Sequence, residues 1–169
     1  MNLHVGGKEP KEGWKILNVQ AGSCVDFVGD IRDLSEFGDE SIETLYASHV
    51  LEHVAQADVM PVLRGVHRTL KRGGKFLVSV PDLDVLCQLY INPSAPPQVK
   101  WHAMRMMFGG QDDAHDFHFV GFNEHFLGTF LAEAGFAGVQ RVESFGIFSD
   151  TSDFRPYGIA ISLNLVATK

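Results

Sequence analysis

The sequence predicts an α/β domain with a largely parallel sheet, because short apolar runs alternate along it with stretches of helical spacing. Glycine or polar residues close nearly every apolar run, which places the turns. Length is the third observation: 169 residues suffice for one domain with a real core and not for two, so residues 1–169 are expected to form a single unit. With 45% hydrophobic and 21% charged residues the composition is that of a folded globular protein, and the 13 Phe supply bulky core material.

Three strands are expected in quick succession: "NLHV" (2–5) ending in Gly6-Gly7, "WKILNV" (14–19) ending near Gln20, and "VDFVG" (25–29) ending in Asp30. The linkers between them are too short for crossover helices, which need about ten residues or more. "TLYAS" (44–48) is the fourth strand. From His49 the apolar residues take helical spacing, with Val50, Leu51, Val54, Val59, Val62, Leu63, Val66 and Leu70 running up to "KRGGK", where Gly73-Gly74 should end the helix. Pro61 should mark a kink or the start of a second helical piece.

"KFLVSV" (75–80) is the fifth strand, closed by Pro81-Asp82. "LDVLCQLYI" reads as a short helix, "NPSAPP" (92–97) as a loop and "QVKWHAMRMMF" as another helix, followed by the polar and glycine-containing "GGQDDAHDFHFVGF". Asn123 is placed to cap a helix over "EHFLGTFLAEAGF" that Gly135 stops. Two further strands, 138–145 and 159–168, flank a polar loop with Asp150, Asp153 and Arg155.

His49-Val50-Leu51-Glu52-His53 matches the H-x-x-E-H string of inverted zinc peptidases. That chemistry needs both His residues one turn apart inside a helix, yet the strand pattern of "TLYAS" runs up to His49, and no third ligand stands out. Two other readings remain: ordinary polar residues on a first helical turn, or residues delivered to the C-terminal edge of a parallel sheet, where such sheets bind ligands. Gly6-Gly7, Gln20, Asp30, Ser48-His49 and Asp82 all fall at that edge. His102, His115 and His118 match no usual ligand spacing, and no metal is expected.

The segments "VDFVGDIRDLSEFGDESIETLYASHVLEHV", "LRGVHRTLKRGGKFLVSVPDLD" and "FLAEAGFAGVQRVESF" resemble class I S-adenosylmethionine-dependent methyltransferases of the type 11 kind, in the family's order and spacing. "MRMMFGGQ", "DFHFVGF" and "ISLNLVA" resemble a subgroup of short methyltransferases with an abbreviated N-terminal region. The resemblance implies a Rossmann-like sandwich with a mostly parallel seven-stranded sheet and an antiparallel last strand. It also implies S-adenosyl-L-methionine as cofactor. Carried onto this chain, the cofactor-binding positions are Gly6 and Gly7 at the methionine end, Gln20 at the ribose in place of the family's acidic residue, Asp30 and Ile31 at the adenine, and Ser48 and His49 near the methionine moiety. Two departures stand out: Lys8-Glu9-Pro10 replaces the third glycine of the first loop, and residues 8–13 leave no room for the helix that normally follows it.

Methyl transfer is an in-line displacement that needs positioning and, for an oxygen or nitrogen acceptor, a base. The acceptor, expected to be a small or sugar-containing molecule, should lie near Ser48, His49 and Asp82 beneath a lid insertion over 92–122. There His118 is the candidate base and Asp116 its orienting partner; the bland alternative is a loop packed by its Phe residues. The net charge of -7 argues against sequence-independent nucleic-acid binding. No stretch reaches the roughly 18 apolar residues of a membrane span and no secretory signal is expected, which suggests the cytoplasm, with Cys24 and Cys87 as reduced thiols. The shortened first loop and Gln20 also fit another reading, a catalytically silent binding or scaffold module that keeps the fold.

Overall fold

Alternation in the first strand sets the layout of the molecule. Leu3 and Val5 of β1 (Asn2–Val5) enter the main core, while His4 between them faces the other side and packs against Tyr46 and Phe148. The computed structural model describes residues 1–169 and pairs β1 with β2 (Trp14–Asn18) on one side and β4 (Ile42–Ser48) on the other. With β3 (Phe27–Val28), β5 (Leu70–Pro81), β6 (Gly138–Val142) and β7 (Ser162–Thr168) they form one seven-stranded sheet, ordered β3-β2-β1-β4-β5-β7-β6. Strands β1 to β5 pair in parallel and β7 runs antiparallel to both β5 and β6, as expected.

The two faces of the sheet are covered differently. On the core face, α1 (Val59–Thr69) contributes Val59, Val62, Leu63 and Val66, and α4 (Glu124–Glu133) contributes Leu127 and Leu131. Ile31, Leu34 and Phe37, from the loop between β3 and β4, finish that layer. No helix separates β1 from β2, β2 from β3, or β3 from β4, so the opposite face lacks a helical layer at this end. A loop covers it instead: between β6 and β7, Phe145 and Phe148 pack edgewise or tilted on Tyr46, and Phe148 also meets His4 and Trp14. Asn164 of β7 ties that loop down by donating to the carbonyls of Glu143 and Ser152. A smaller core joins α2 (Leu83–Ile91) to α3 (Pro97–Phe108) through Leu86, Leu89, Ala103 and Ile161.

Several element boundaries differ from expectation. The stretch after His49 is not one helix: Leu51–His53 and Gln56–Asp58 are single 3-10 turns, and α1 begins at Val59 with Pro61 in its first turn, where a missing N–H costs nothing. Nor does α1 reach Gly73-Gly74. It ends at Thr69, because Leu70 turns extended and is fully buried beside Ile42 as the first residue of β5. The pairing then jumps from Ile42↔Leu70 to Thr44↔Lys75, so Lys71 to Gly74 bulge out of the ladder, with Gly73 at φ 74° making the turn. Strand β3 keeps two residues of the expected five; before it, the Asp26 carboxylate accepts from the backbone N–H of Ile16. Strands β6 and β7 are shorter than expected as well, ending at Val142 and beginning at Ser162, and the loop between them carries 3-10 turns at Thr151–Asp153 and Pro156–Gly158.

Candidate cofactor site

The C-terminal ends of β1 to β4 open into one cavity of about 860 Å3. Gly6, Gly7, Gln20, Asp30, Ile31, Ser48 and His49 all line it, so the sequence-derived cofactor positions converge on a common wall. Gly6 has φ 77°, and a Cβ there would stand 2.9 Å from Val50 Cγ2. A Cβ on Gly7 would come within 2.6 Å of His4 Nδ1. Both positions therefore need glycine, and both present bare backbone to the cavity. Asn18, which the sequence reading did not single out, fixes this loop: its amide donates to the Gly7 carbonyl at 3.0 Å, and its oxygen accepts from the Gln20 N–H at 2.9 Å. An asparagine at a strand end looks like any turn residue, so sequence gives no sign of this role.

Asp30 accepts from the backbone N–H of Arg32 at 2.8 Å and from its guanidinium at 2.6 Å. Burial would raise this carboxyl, but its bonds to Arg32 outweigh that and hold it below the usual range. The next residue, Ile31, has its side chain in the core, and its backbone N–H makes no hydrogen bond within the chain.

Ser48 and His49 reach the cavity, yet their polar atoms are engaged. Ser48 Oγ donates to Asp150 Oδ1 at 3.2 Å. His49 sits at φ 52°, an uncommon conformation outside glycine, held by its N–H donating to Ser79 O at 2.9 Å and by Nε2 at 2.9 Å from Ser162 Oγ. The cover loop supplies the residue that sequence left without a role. Asp150 lines the cavity and accepts from Tyr46 Oη, Ser48 Oγ and the Ser152 N–H. Burial pushes Asp150 up, but these donors more than compensate and keep it ionised below the usual carboxylate range. Nothing in sequence links Asp150 to Ser48 across 102 residues.

The acceptor-side expectations fare differently. Asp116 lines the cavity, together with Asp113, Ala114, His115 and Phe119 of the same segment, but His118 does not. Asp116 does not orient His118: its carboxylate faces the Asp112 N–H at 3.4 Å, while His118 Nδ1 lies 3.0 Å from Met106 O. The reason is the backbone, which turns between them so that Asp116 O accepts from Gln111 N and His118 N donates to Phe108 O. Burial lowers the His118 pKa below that of a free imidazole. Asp82 is also absent from the cavity lining, because it caps α2 and pairs with Arg141 at 3.0 Å. His102 lies apart, with Nδ1 3.0 Å from Tyr157 Oη.

Residues 9–78 match the family model described as a methyltransferase domain. Solved methyltransferases superpose over nearly the whole chain. A SAM-dependent methyltransferase from Archaeoglobus fulgidus shares 15% identity at a TM-score of 0.62, covering 99% of this chain and 85% of that one. The chain has a class I methyltransferase fold. The same methyltransferase fold aligns with 1,6-didemethyltoxoflavin-N1-methyltransferase of Burkholderia thailandensis, solved with 1,6-didemethyltoxoflavin and S-adenosylhomocysteine bound (16% identity, TM-score 0.61, 99% of this chain and 70% of that one). YcgJ of Bacillus subtilis aligns at 16% identity and a TM-score of 0.56, over 99% and 91% of the two chains. No curated protein sequence matches this methyltransferase-fold chain. None of its helices is long and apolar enough to cross a membrane.

Proposed function

We propose that the protein is an S-adenosylmethionine-dependent methyltransferase of the cytoplasm acting on a small-molecule or sugar-containing acceptor. The observation that carries this reading is the convergence of Gly6, Gly7, Gln20, Asp30, Ile31 and Ser48 on one cavity of about 860 Å3, a size suited to an adenosyl cofactor with a small acceptor beside it. When bound, the cofactor supplies a methyl group activated by its sulfonium. The protein's residues would bind and orient it: the Asp30 carboxylate and the unused Ile31 N–H at the adenine, the Gln20 amide at the ribose, and the bare Gly6-Gly7 backbone at the methionine end. Ionised Asp150 suits the methionine ammonium and Lys8, on the same wall, its carboxylate. Segment 92–122 acts as the lid, since Asp113 to Asp116 and Phe119 already form part of the cavity wall.

Calorimetry with S-adenosylhomocysteine tests the reading. Saturable binding is expected, weakened by about 1–3 kcal/mol in Asp30→Ala for loss of a partly buried hydrogen-bond partner. No binding at millimolar ligand would sink it. One observation favours a silent binding module instead: no helix follows Gly7, so no helical N-terminus helps to hold the cofactor's carboxylate. Transfer of labelled methyl to any component of a cell extract removes that alternative.

A further inference from the structure

Glu52 is 1% exposed; its Oε1 lies 3.1 Å from His49 Nδ1, and its Oε2 has no hydrogen-bond partner. A buried carboxylate so thinly partnered is among the costlier groups in a protein interior, and such groups usually hold a further partner. Here the partners are imidazoles: one ligand-capable atom from each of Glu52, His53 and His118 lies within 4.8 Å of the others. The His53 and His118 rings meet edge to face, with centroids 4.8 Å apart.

Backbone carbonyls beside these rings fix which nitrogen of each is free to bind an ion. His53 Nδ1 lies 3.0 Å from Phe117 O, and His118 Nδ1 lies 3.0 Å from Met106 O. A carbonyl only accepts, so each Nδ1 carries the proton and each Nε2 keeps its lone pair. Metal-ligating histidines characteristically donate their other ring N–H to a carbonyl or carboxylate in this way. His49 flanks the group. The single hydroxyl proton of Ser162 goes to Thr151 O, so Ser162 accepts from His49 Nε2, and His49 Nδ1 is left 3.1 Å from Glu52 Oε1.

We propose that Glu52, His53 and His118 form a site for one divalent transition-metal ion of the zinc class. Two neutral imidazoles and one carboxylate are the donor set of many zinc centres, whereas magnesium and calcium favour oxygen ligands throughout. Zinc–ligand bonds of about 2.0–2.2 Å put ligand atoms roughly 3–3.5 Å apart, so small side-chain rotations close the group around an ion. The arrangement is not that of an H-x-x-E-H peptidase, in which both histidines of the string bind and the glutamate acts as base. Here the glutamate is itself a ligand, and the second imidazole comes from His118 beyond α3. Because His53 also lines the cavity, the ion lies at its wall.

Titration of the chelator-treated full chain with Zn2+, together with the visible spectrum of added Co2+, tests the site. One Zn2+ per chain is expected, with ligand-field bands from Co2+ and no competition from Mg2+. Glu52→Gln and His118→Ala should weaken Zn2+ about 100-fold or more, and His102→Ala should leave it unchanged. A zinc-dependent rise in Tm, present in the wild type and absent in His53→Ala, gives a second readout that remains decisive if another variant fails to fold. Absence of saturable binding in excess zinc, or equal binding by wild type, E52Q and H118A, overturns the proposal. Zinc is titrated without cofactor, and S-adenosylhomocysteine is titrated in chelator, so failure of one leaves the other result standing.

Discussion

Tyr46 Oη donates to Asp150 Oδ2 at 2.8 Å, joining the middle of β4 to a loop 104 residues later in the chain. The bond fastens the cover loop to the sheet face that no helix protects. Burial raises the Tyr46 pKa far above that of a free phenol, so the group stays a neutral donor at any working pH. Tyr46→Phe should therefore cost about 1.5–3 kcal/mol, as expected for a hydrogen bond to a charged acceptor. Urea unfolding monitored by circular dichroism measures it, and a loss below a few tenths of a kcal/mol would show that the Phe residues, Asn164 and Ser48 hold the loop without this bond.

His4 makes stability depend on pH in a definite direction. It is buried and its Nδ1 has no partner, and burial lowers its pKa from 6.5 to about 4 even though nearby Asp150 pulls the other way. The unfolded chain takes up this proton below pH 6.5, while the folded chain stays neutral at His4 until about pH 4. Stability from His4 is thus intact above pH 6.5 and falls by about 3 kcal/mol as pH drops through that window. The difference in unfolding free energy between wild type and His4→Gln, measured at pH 7 and again near pH 4, isolates the effect; a constant difference would refute it.

The glycine loop offers a test of the binding wall. Gly7→Ala places a methyl 2.6 Å from the imidazole of His4, so the loop must shift away from its position over the cavity. Gly6→Ala adds left-handed backbone strain of about 1–2 kcal/mol and presses on Val50. Calorimetry should show S-adenosylhomocysteine binding weakened at least tenfold in Gly7→Ala, the equivalent of about 1.4 kcal/mol. Unchanged affinity would mean that the cofactor does not lie against this loop.

Asp82 separates stability from binding. Its carboxylate caps α2 through the N–H groups of Asp84 and Val85 and takes the Arg141 guanidinium at 3.0 Å. Asp82→Ala should lose about 1 kcal/mol for the cap. The ion pair adds only modestly, since Arg141 is nearly half exposed to solvent. Because Asp82 lies outside the cavity lining, S-adenosylhomocysteine affinity should not change; a parallel loss of affinity would place it in the site after all.

Most strands and the sheet edge that gathers the polar and glycine residues were legible because they rest on local signals. Apolar runs such as "WKILN" and "TLYAS" end in the polar or glycine residues that a parallel sheet gathers at one edge, and Gly6, Gln20, Asp30 and Ser48 do gather there. The helix after His49 misled, since 3-10 turns and an α-helix share their apolar spacing over so few residues. Leu70 misled for a similar reason: its side chain fits a helix face, but burial beside Ile42 assigned it to β5. Asp150 and the approach of His118 to Glu52 stayed hidden because each depends on contact between residues far apart in sequence, and periodicity carries no long-range pairing.

The cover loop also sets a schedule for synthesis. Strands β1, β2 and β4 all lie within the first 48 residues and pair in parallel without waiting for crossover helices, so this half of the sheet can assemble early on a ribosome. Its His4 and Tyr46 face stays bare until Phe145, Phe148 and Asp150 emerge about 100 residues later, roughly 5–20 s at ordinary elongation rates. During that interval the nascent chain displays an unfinished aromatic surface and an incomplete cavity wall. Until the cover loop is made, the cavity lacks the part of its wall that Phe148 and Asp150 supply.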